Sequence, residues 1–165
     1  MFTKNPKDWL QIDFNRLSDA NDDIQFIVGV EGLTGDEHRK LGYCGPIQIV
    51  QWCFGATKGH VILRHMLDLI MYKYFAEKKY FDHWSYSIHT TGPAIMTEGI
   101  DWYFKSLNKD INILWDINED SLLIKDVFVG PLNFFNCGYI NPKINSKCNG
   151  MTAIQHKYAG SWKHG

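Results

Sequence analysis

Two stretches of the chain carry residue types that can hold an oxygen-rich or phosphorylated ligand. The first is Thr90-Thr91-Gly92-Pro93. It offers two hydroxyls, a glycine that admits close backbone approach, and a proline suited to a first helical turn, whose free N–H groups and dipole favour oxygen-rich ligands. The same residues also spell an ordinary helix-capping loop. The second stretch is His156-Lys157-Tyr158-Ala159-Gly160-Ser161-Trp162-Lys163. Its imidazole can ligate a divalent ion, its amines can balance phosphate charge, and its rings can stack on a base or sugar. A solvated terminal tail has the same composition.

The elements that must position these residues are readable from hydrophobic spacing. Ile24 to Val30 is a short Ile/Val-rich run bounded by Asp23 and Glu31-Gly32, the pattern of a buried strand. Ile47 to Phe54 follows Pro46 and reads as either a strand or the start of a buried helix. Thr57-Lys58-Gly59-His60 supplies a capping residue for a helix in which Val61, Met66, Leu67, Ile70, Tyr74 and Phe75 recur at three- and four-residue steps. A second helix starts at Pro93 and carries Ile95, Met96, Ile100, Tyr103, Phe104 and Leu107. Leu122 to Val129 reads as one further strand, broken by Gly130-Pro131, with Leu132 to Phe135 resuming extended structure. The segment to Asp23 reads as a polar connector, and the tail from Asn141 as loop. Strands separated by helices predict a single α/β domain over 1–165 with a mixed sheet and flanking helices. Sites in such folds gather at strand ends and helix starts.

Composition narrows the function classes. With 45% hydrophobic and 21% charged residues, the 165-residue chain can bury a core that offsets its conformational entropy. A net charge of -1 leaves no basic footprint for nucleic acid. The apolar runs at Ile47 to Ala56 and Val61 to Met71 are interrupted by Gln51, Arg64, His65 and Asp68, too soon for a membrane span, and no signal-peptide pattern follows Met1. The 4 cysteines, Cys44, Cys53, Cys137 and Cys148, lack Cys-x-x-Cys spacing and read as free thiols, with a Cys137–Cys148 disulfide as the alternative in an oxidising lumen. The absence of Asn-x-Ser/Thr acceptors leans to a cytoplasmic location for this chain. An aromatic share of 15%, with 6 Trp, suits either a core or a surface that packs against the C–H faces of sugars.

The order Gln51-Trp52, Gly59-His60 leading into a helix, Thr91-Gly92-Pro93-Ala94 with Thr97, then His156 and Gly160-Ser161-Trp162 resembles the DXD-containing sugar transferases of glycosyltransferase family 32. Within that family it resembles most the fungal initiation-specific α-1,6-mannosyltransferases. The likeness runs from about Ile24 to Lys163. It implies a GT-A type fold, a nucleotide-sugar donor, a glycan acceptor, a divalent metal, usually Mn2+, and transfer with retained anomeric configuration. By position it places Trp52, His60, Thr91 and Gly92 near the sugar and acceptor, His156 at the metal, and Ser161, Trp162 and Lys163 over the donor diphosphate. Gln51 falls at the reacting sugar. Glu31 and Glu98 are the carboxylates nearest these motifs, able to steady positive charge on the sugar or orient the acceptor hydroxyl, with a solvated or capping role the better reading for both. Fungal relatives of this kind work in a Golgi-type lumen.

The chain departs from the family in one respect that matters chemically. No Asp-x-Asp stands at a suitable place; Asp116-Ile117-Asn118 falls after the second helix, in the wrong order. Thr3-Lys4-Asn5-Pro6-Lys7-Asp8-Trp9 resembles the segment that follows the acidic pair in relatives, so the chain reads as the C-terminal, acceptor-side portion of a transferase, truncated or completed by an N-terminal half. An inactive carbohydrate-binding or structural remnant is the competing reading, and an unrelated α/β domain the third.

Overall fold

Strand β1 (Phe26–Leu33) forms where the Ile/Val-rich run predicts, and runs three residues further, through Glu31 and Gly32. The computed structural model describes residues 24–76, 85–117, 120–132, 134–135 and 154. The expected site residues His156, Ser161, Trp162 and Lys163, together with Cys137 and Cys148, lie outside them. β1 pairs in parallel with β5 (Val127–Gly130), in register from Phe26 opposite Val127 to Gly29 opposite Gly130. β4 (Leu122–Ile124) extends the sheet antiparallel to β5. On its other side β1 pairs antiparallel with β2 (Ile47–Ile49) and, nearer its start, with β3 (Gly55–Ala56). The sheet is therefore mixed, in the order β2-β1-β5-β4 with β3 also on β1.

Two expectations are corrected here, and one left open is resolved. Leu122 to Val129 is a hairpin, not one strand: Ile124 pairs with Val127 across a two-residue turn in which Lys125 takes a positive φ of 55°. Apolar periodicity does not see such a turn, because Lys125-Asp126 lacks the glycine or asparagine that usually signals it. Leu132 to Phe135 does not resume a strand, since Phe134 N–H bonds back to Pro131 O at 2.9 Å and closes a turn. The run Ile47 to Phe54 resolves into β2 followed by an excursion. Val50 still donates to Gly29 O at 2.9 Å, then Gln51, Trp52 and Cys53 leave the ladder before Gly55 re-enters opposite Ile27.

Helices α1 (Val61–Ala76), α2 (Ser85–Thr90) and α3 (Pro93–Ser106) follow β3, with α3 starting at Pro93 as its sequence dictates. Short 3-10 turns at Gly35–Glu37 and Ile111–Asp116, and α2 itself, carry too little periodicity to be read from sequence. Phe26, Val28 and Val30 of β1, Ile47 and Ile49 of β2, and Val127 and Val129 of β5 face Ile62 of α1 and Met96, Ile100, Tyr103 and Phe104 of α3. α1 meets this core through Ile62, Leu63 and Met66, so Val61, Leu67, Tyr74 and Phe75, expected on its inner stripe, are exposed. The opposite face is covered by Val50, Phe128, Phe134, Phe135 and Ile154, with Ile27, Trp52 and Cys53 packed against them. Gly130 is required there: a Cβ would overlap the Phe134 ring.

Among the described residues no helix is long and apolar enough to cross a membrane.

Candidate functional site

The carboxyl end of the β1/β5 parallel pair is where an α/β sheet opens a crevice for ligands, because strand ends and helix N-termini meet there. Glu31 stands at this end, as the extra residue of a β-bulge: Val30 pairs with Ile49 and Gly32 with Gln48, leaving Glu31 without an opposite number. Bulges of this kind re-aim a side chain. Gln48, buried between Ile47 and Ile49, points its carboxamide to the same face. Its Nε2 donates to Glu31 Oε2 at 2.8 Å, and its Oε1 accepts the Cys44 N–H at 2.8 Å. Burial raises the Glu31 pKa, and the hydrogen bonds of Gln48 and Trp52 pull it only part of the way back. Glu31 is thus a half-buried, hydrogen-bonded carboxyl and not a freely solvated one.

α3 delivers its N-terminus to the same end. The Cys44 thiol lies beside the Ala94 backbone, and burial, then the charge of Glu31, raises that thiol to about 11, so it is an unreactive protonated group. Further along, Thr97 Oγ1 accepts the outward-facing Ile49 N–H at 3.0 Å while donating to Pro93 O at 2.9 Å. That contact fixes β2, and with it Gln48, against α3. Gly92 permits the entry to α3, since a Cβ there would meet Ile88 Cα and O at 2.8 Å. The close approach that glycine allows is to the chain's own α2. Thr91, exposed, donates its hydroxyl to Ser87 O at 3.2 Å.

Of the residues expected at a site, Trp52 lies beside Glu31, Gln51 precedes it on the same excursion, and Thr91 and Gly92 lead into the helix whose Ala94 backbone meets Cys44. Ile154 donates its N–H to Phe134 O at 3.3 Å and packs with Val50, Phe128 and Phe135. His60 is not brought to the Glu31 end. It is 5% exposed and packs on Phe26, at the start of β1, with ring centroids 5.0 Å apart. Five residues of strand, about 16 Å, separate Phe26 from Glu31. His60 Nδ1 accepts the Ile62 N–H at 3.3 Å and so caps α1, which fixes the other nitrogen as the donor to Asp126 Oδ2, also at 3.3 Å. Tyr103 donates to the second oxygen, Asp126 Oδ1, at 2.5 Å. Burial pushes Asp126 upward, but the bonds from Tyr103, its own backbone and His60 outweigh it and leave the pKa lowered. Burial, then the Asp126 contact, raises Tyr103. Both ring nitrogens of His60 are used inside the protein.

Glu98 lies one turn into α3, where Lys73 Nζ of α1 donates to it at 2.6 Å and also reaches His89 O at 3.2 Å. Lys73 thereby pins three helices together, with Glu98 as its carboxylate partner. Gln48 and Cys44 escaped the sequence reading; the signal for Gln48 was an isolated polar residue between two isoleucines of a strand. Nothing in the sequence marks Asp126 as the partner of His60. Cys44 and Cys53 are free thiols, as read. Among the described residues no three His, Cys, Asp or Glu side chains converge to hold a metal ion, so those residues do not by themselves fit the expected manganese.

Comparison with known proteins supplies the remaining finding. No family model matches the chain, and no solved structure matches it. The chain is 27% identical, over 168 aligned positions, to the initiation-specific alpha-1,6-mannosyltransferase of Schizosaccharomyces pombe. The match covers 97% of this chain and spans 40% of the length of that relative. It supports a glycosyltransferase-like relationship, and the mixed sheet with flanking helices is compatible with a fragment of such an enzyme.

Proposed function

We propose that this chain is the acceptor-side portion of a GT-A type, family 32-like glycosyltransferase that moves a hexose, mannose by analogy with its relative, from a nucleotide-sugar to a glycan hydroxyl with retention. The single observation that carries this reading is the match along 97% of the chain to a mannosyltransferase. The gathering of Glu31, Gln48, Trp52 and the α3 N-terminus at one sheet end supports it. In this reading the half-buried Trp52 offers its ring to a sugar face, and Gln51 and Glu31 orient hydroxyls. His156 sits by the diphosphate and its metal, and Ser161, Trp162 and Lys163 close over the leaving group to exclude water. The metal's acidic pair comes from outside the described residues, and manganese supplies charge stabilisation to the departing diphosphate. Everything else asked of this chain is orientation and exclusion of water.

The test offers GDP- and UDP-hexoses with Mn2+ and an α-mannobiose acceptor to this chain supplied with the complementing N-terminal half, and reads product and anomeric configuration by NMR. Manganese-dependent transfer with the α-configuration kept is expected, with turnover lowered on the order of ~10²-fold in His156→Ala or Trp162→Ala. No transfer from any donor, together with no calorimetric binding of GDP or UDP, overturns the reading.

A further inference from the structure

Helix α1 is apolar on nearly every side, yet the core uses only one of them. Ile62, Leu63 and Met66 face the interior shared with the sheet and α3. On the opposite side Val61, Leu67, Met71, Tyr72, Tyr74 and Phe75 are each 45 to 64% exposed. With about 3.6 residues per turn, these six fall on one outer arc of the helix. The formal charges on that arc are Arg64 and Asp68, which pair with each other at 3.4 Å. A helix apolar on both faces is one that is covered on both faces, and an exposed patch of this kind marks an interaction surface. A half-exposed aromatic ring presents roughly 100 Å², so six such side chains offer on the order of ~600 Å², close to the ~800 Å² per partner of a standard stable interface. Part of the surface is also ordered beforehand, since the Tyr74 and Phe75 rings pack edge to face at 5.2 Å.

Three features select a second copy of this chain as the occupant. Arg64 and Asp68 balance, so two copies meet without net repulsion, and a lipid surface finds no excess of cations to hold it. Leu67 and Phe75 stand four residues to either side of Met71. A two-fold axis at Met71 therefore sets each Leu67 against Phe75 of the second copy and Met71 against itself, the self-complementary pattern of an isologous contact. A polypeptide that completes the sheet, by contrast, adds at its edge. That edge is β4, last in the order β2-β1-β5-β4, whereas the outer face of α1 is turned away from the sheet. We propose that the outer face of α1 is a homodimer interface, with the two helices antiparallel across Met71. The dimer does not rest on the transferase reading, because a catalytically inactive chain would form it equally.

The test measures the mass of the full chain by light scattering from micromolar to submillimolar concentration. A dimer is expected with a Kd on the order of ~10 µM, as suits an interface at the small end of the stable range. Met71→Glu sets like charges face to face and should raise that Kd at least ~100-fold. Met71→Lys should do the same, and an equimolar mixture of the two variants should recover a dimer, since opposite charges then meet across the axis. Leu67→Gln, which adds no charge, should weaken the dimer about tenfold and serves if the charged variants do not fold. A chain that stays monomeric, a dimer unchanged by Met71→Glu, or charged variants that remain monomeric when mixed overturns the proposal. So does a monomer that co-sediments with phosphatidylcholine and phosphatidylserine vesicles, or one that uses this face, by the Met71→Glu criterion, for a one-to-one complex with the complementing N-terminal half. Sugar transfer is read in none of these arms, so their failure leaves the transferase reading where it stood.

Discussion

Replacing Tyr103 with Phe would decide whether the His60 end of the sheet is part of the fold or part of a ligand site. Tyr103 is 4% exposed, and its hydroxyl donates at 2.5 Å to a carboxylate whose side chain is only 14% exposed. The substitution removes one hydrogen bond to a charged group and leaves Asp126 Oδ1 in a pocket with little water. Bonds of this class contribute about 1.5–3 kcal/mol, and the small exposure of Asp126 allows partial rehydration, so a loss of about 2 kcal/mol is expected. For a chain of this length that lowers Tm by roughly 4–8 °C. The pH dependence follows from the lowered pKa of Asp126. A carboxylate whose folded pKa is depressed contributes stability above its unfolded pKa and loses it as pH falls through the folded value. The difference between wild type and Tyr103→Phe should therefore be full at pH 7 and shrink below about pH 4, where Asp126 takes up a proton in both. Urea denaturation at pH 7 and pH 3, with thermal melts alongside, measures it. A difference under about 0.5 kcal/mol at pH 7, or one that does not change with pH, refutes the reasoning and would release His60 for a role outside the fold.

Two other substitutions probe the Glu31 end. Thr97→Val keeps the shape of the side chain but leaves the Ile49 N–H on the sheet edge without its acceptor; about 1–3 kcal/mol of stability should be lost and Ile49 amide exchange should quicken, whereas an unchanged exchange rate would show that α3 does not hold β2 through this bond. Glu31→Gln tests the raised carboxyl. A folded pKa above the unfolded value means stability that is present below the unfolded pKa and declines as pH rises through the folded one, so the variant should match wild type near pH 4 and melt higher near pH 8. A variant that is less stable than wild type at pH 8 would mean that the ionised carboxylate is held by its partners and not penalised by burial.

How far the site was legible can be judged from particular residues. Thr91 and Gly92 were singled out because helix starts have a chemistry of their own, and Pro93 marks one. Trp52 was singled out through a family resemblance, and its geometry depends on an excursion from the ladder that no local rule announces. His60 shows the opposite outcome: the resemblance set it near the sugar, while the structure encloses both of its nitrogens with Ile62 and Asp126. Glu31 was noticed and left between two roles, since a sequence does not reveal whether a carboxyl ends in water or beside Gln48.

By itself the sequence determined the elements whose periodicity is local, namely β1, α1, α3 and the break at Gly130-Pro131, together with the mixed α/β class. Tertiary structure decided what depends on contacts between distant residues. It made Glu31 a bulge, because β2 pairs out of step with β1, and turned Gln48 towards it. It set the N-terminus of α3 beside Cys44, and gave Asp126 to His60, 66 positions away. Burial and hydrogen-bond partners are properties of neighbours in space, and those neighbours are chosen only when the sheet and helices close on a common core.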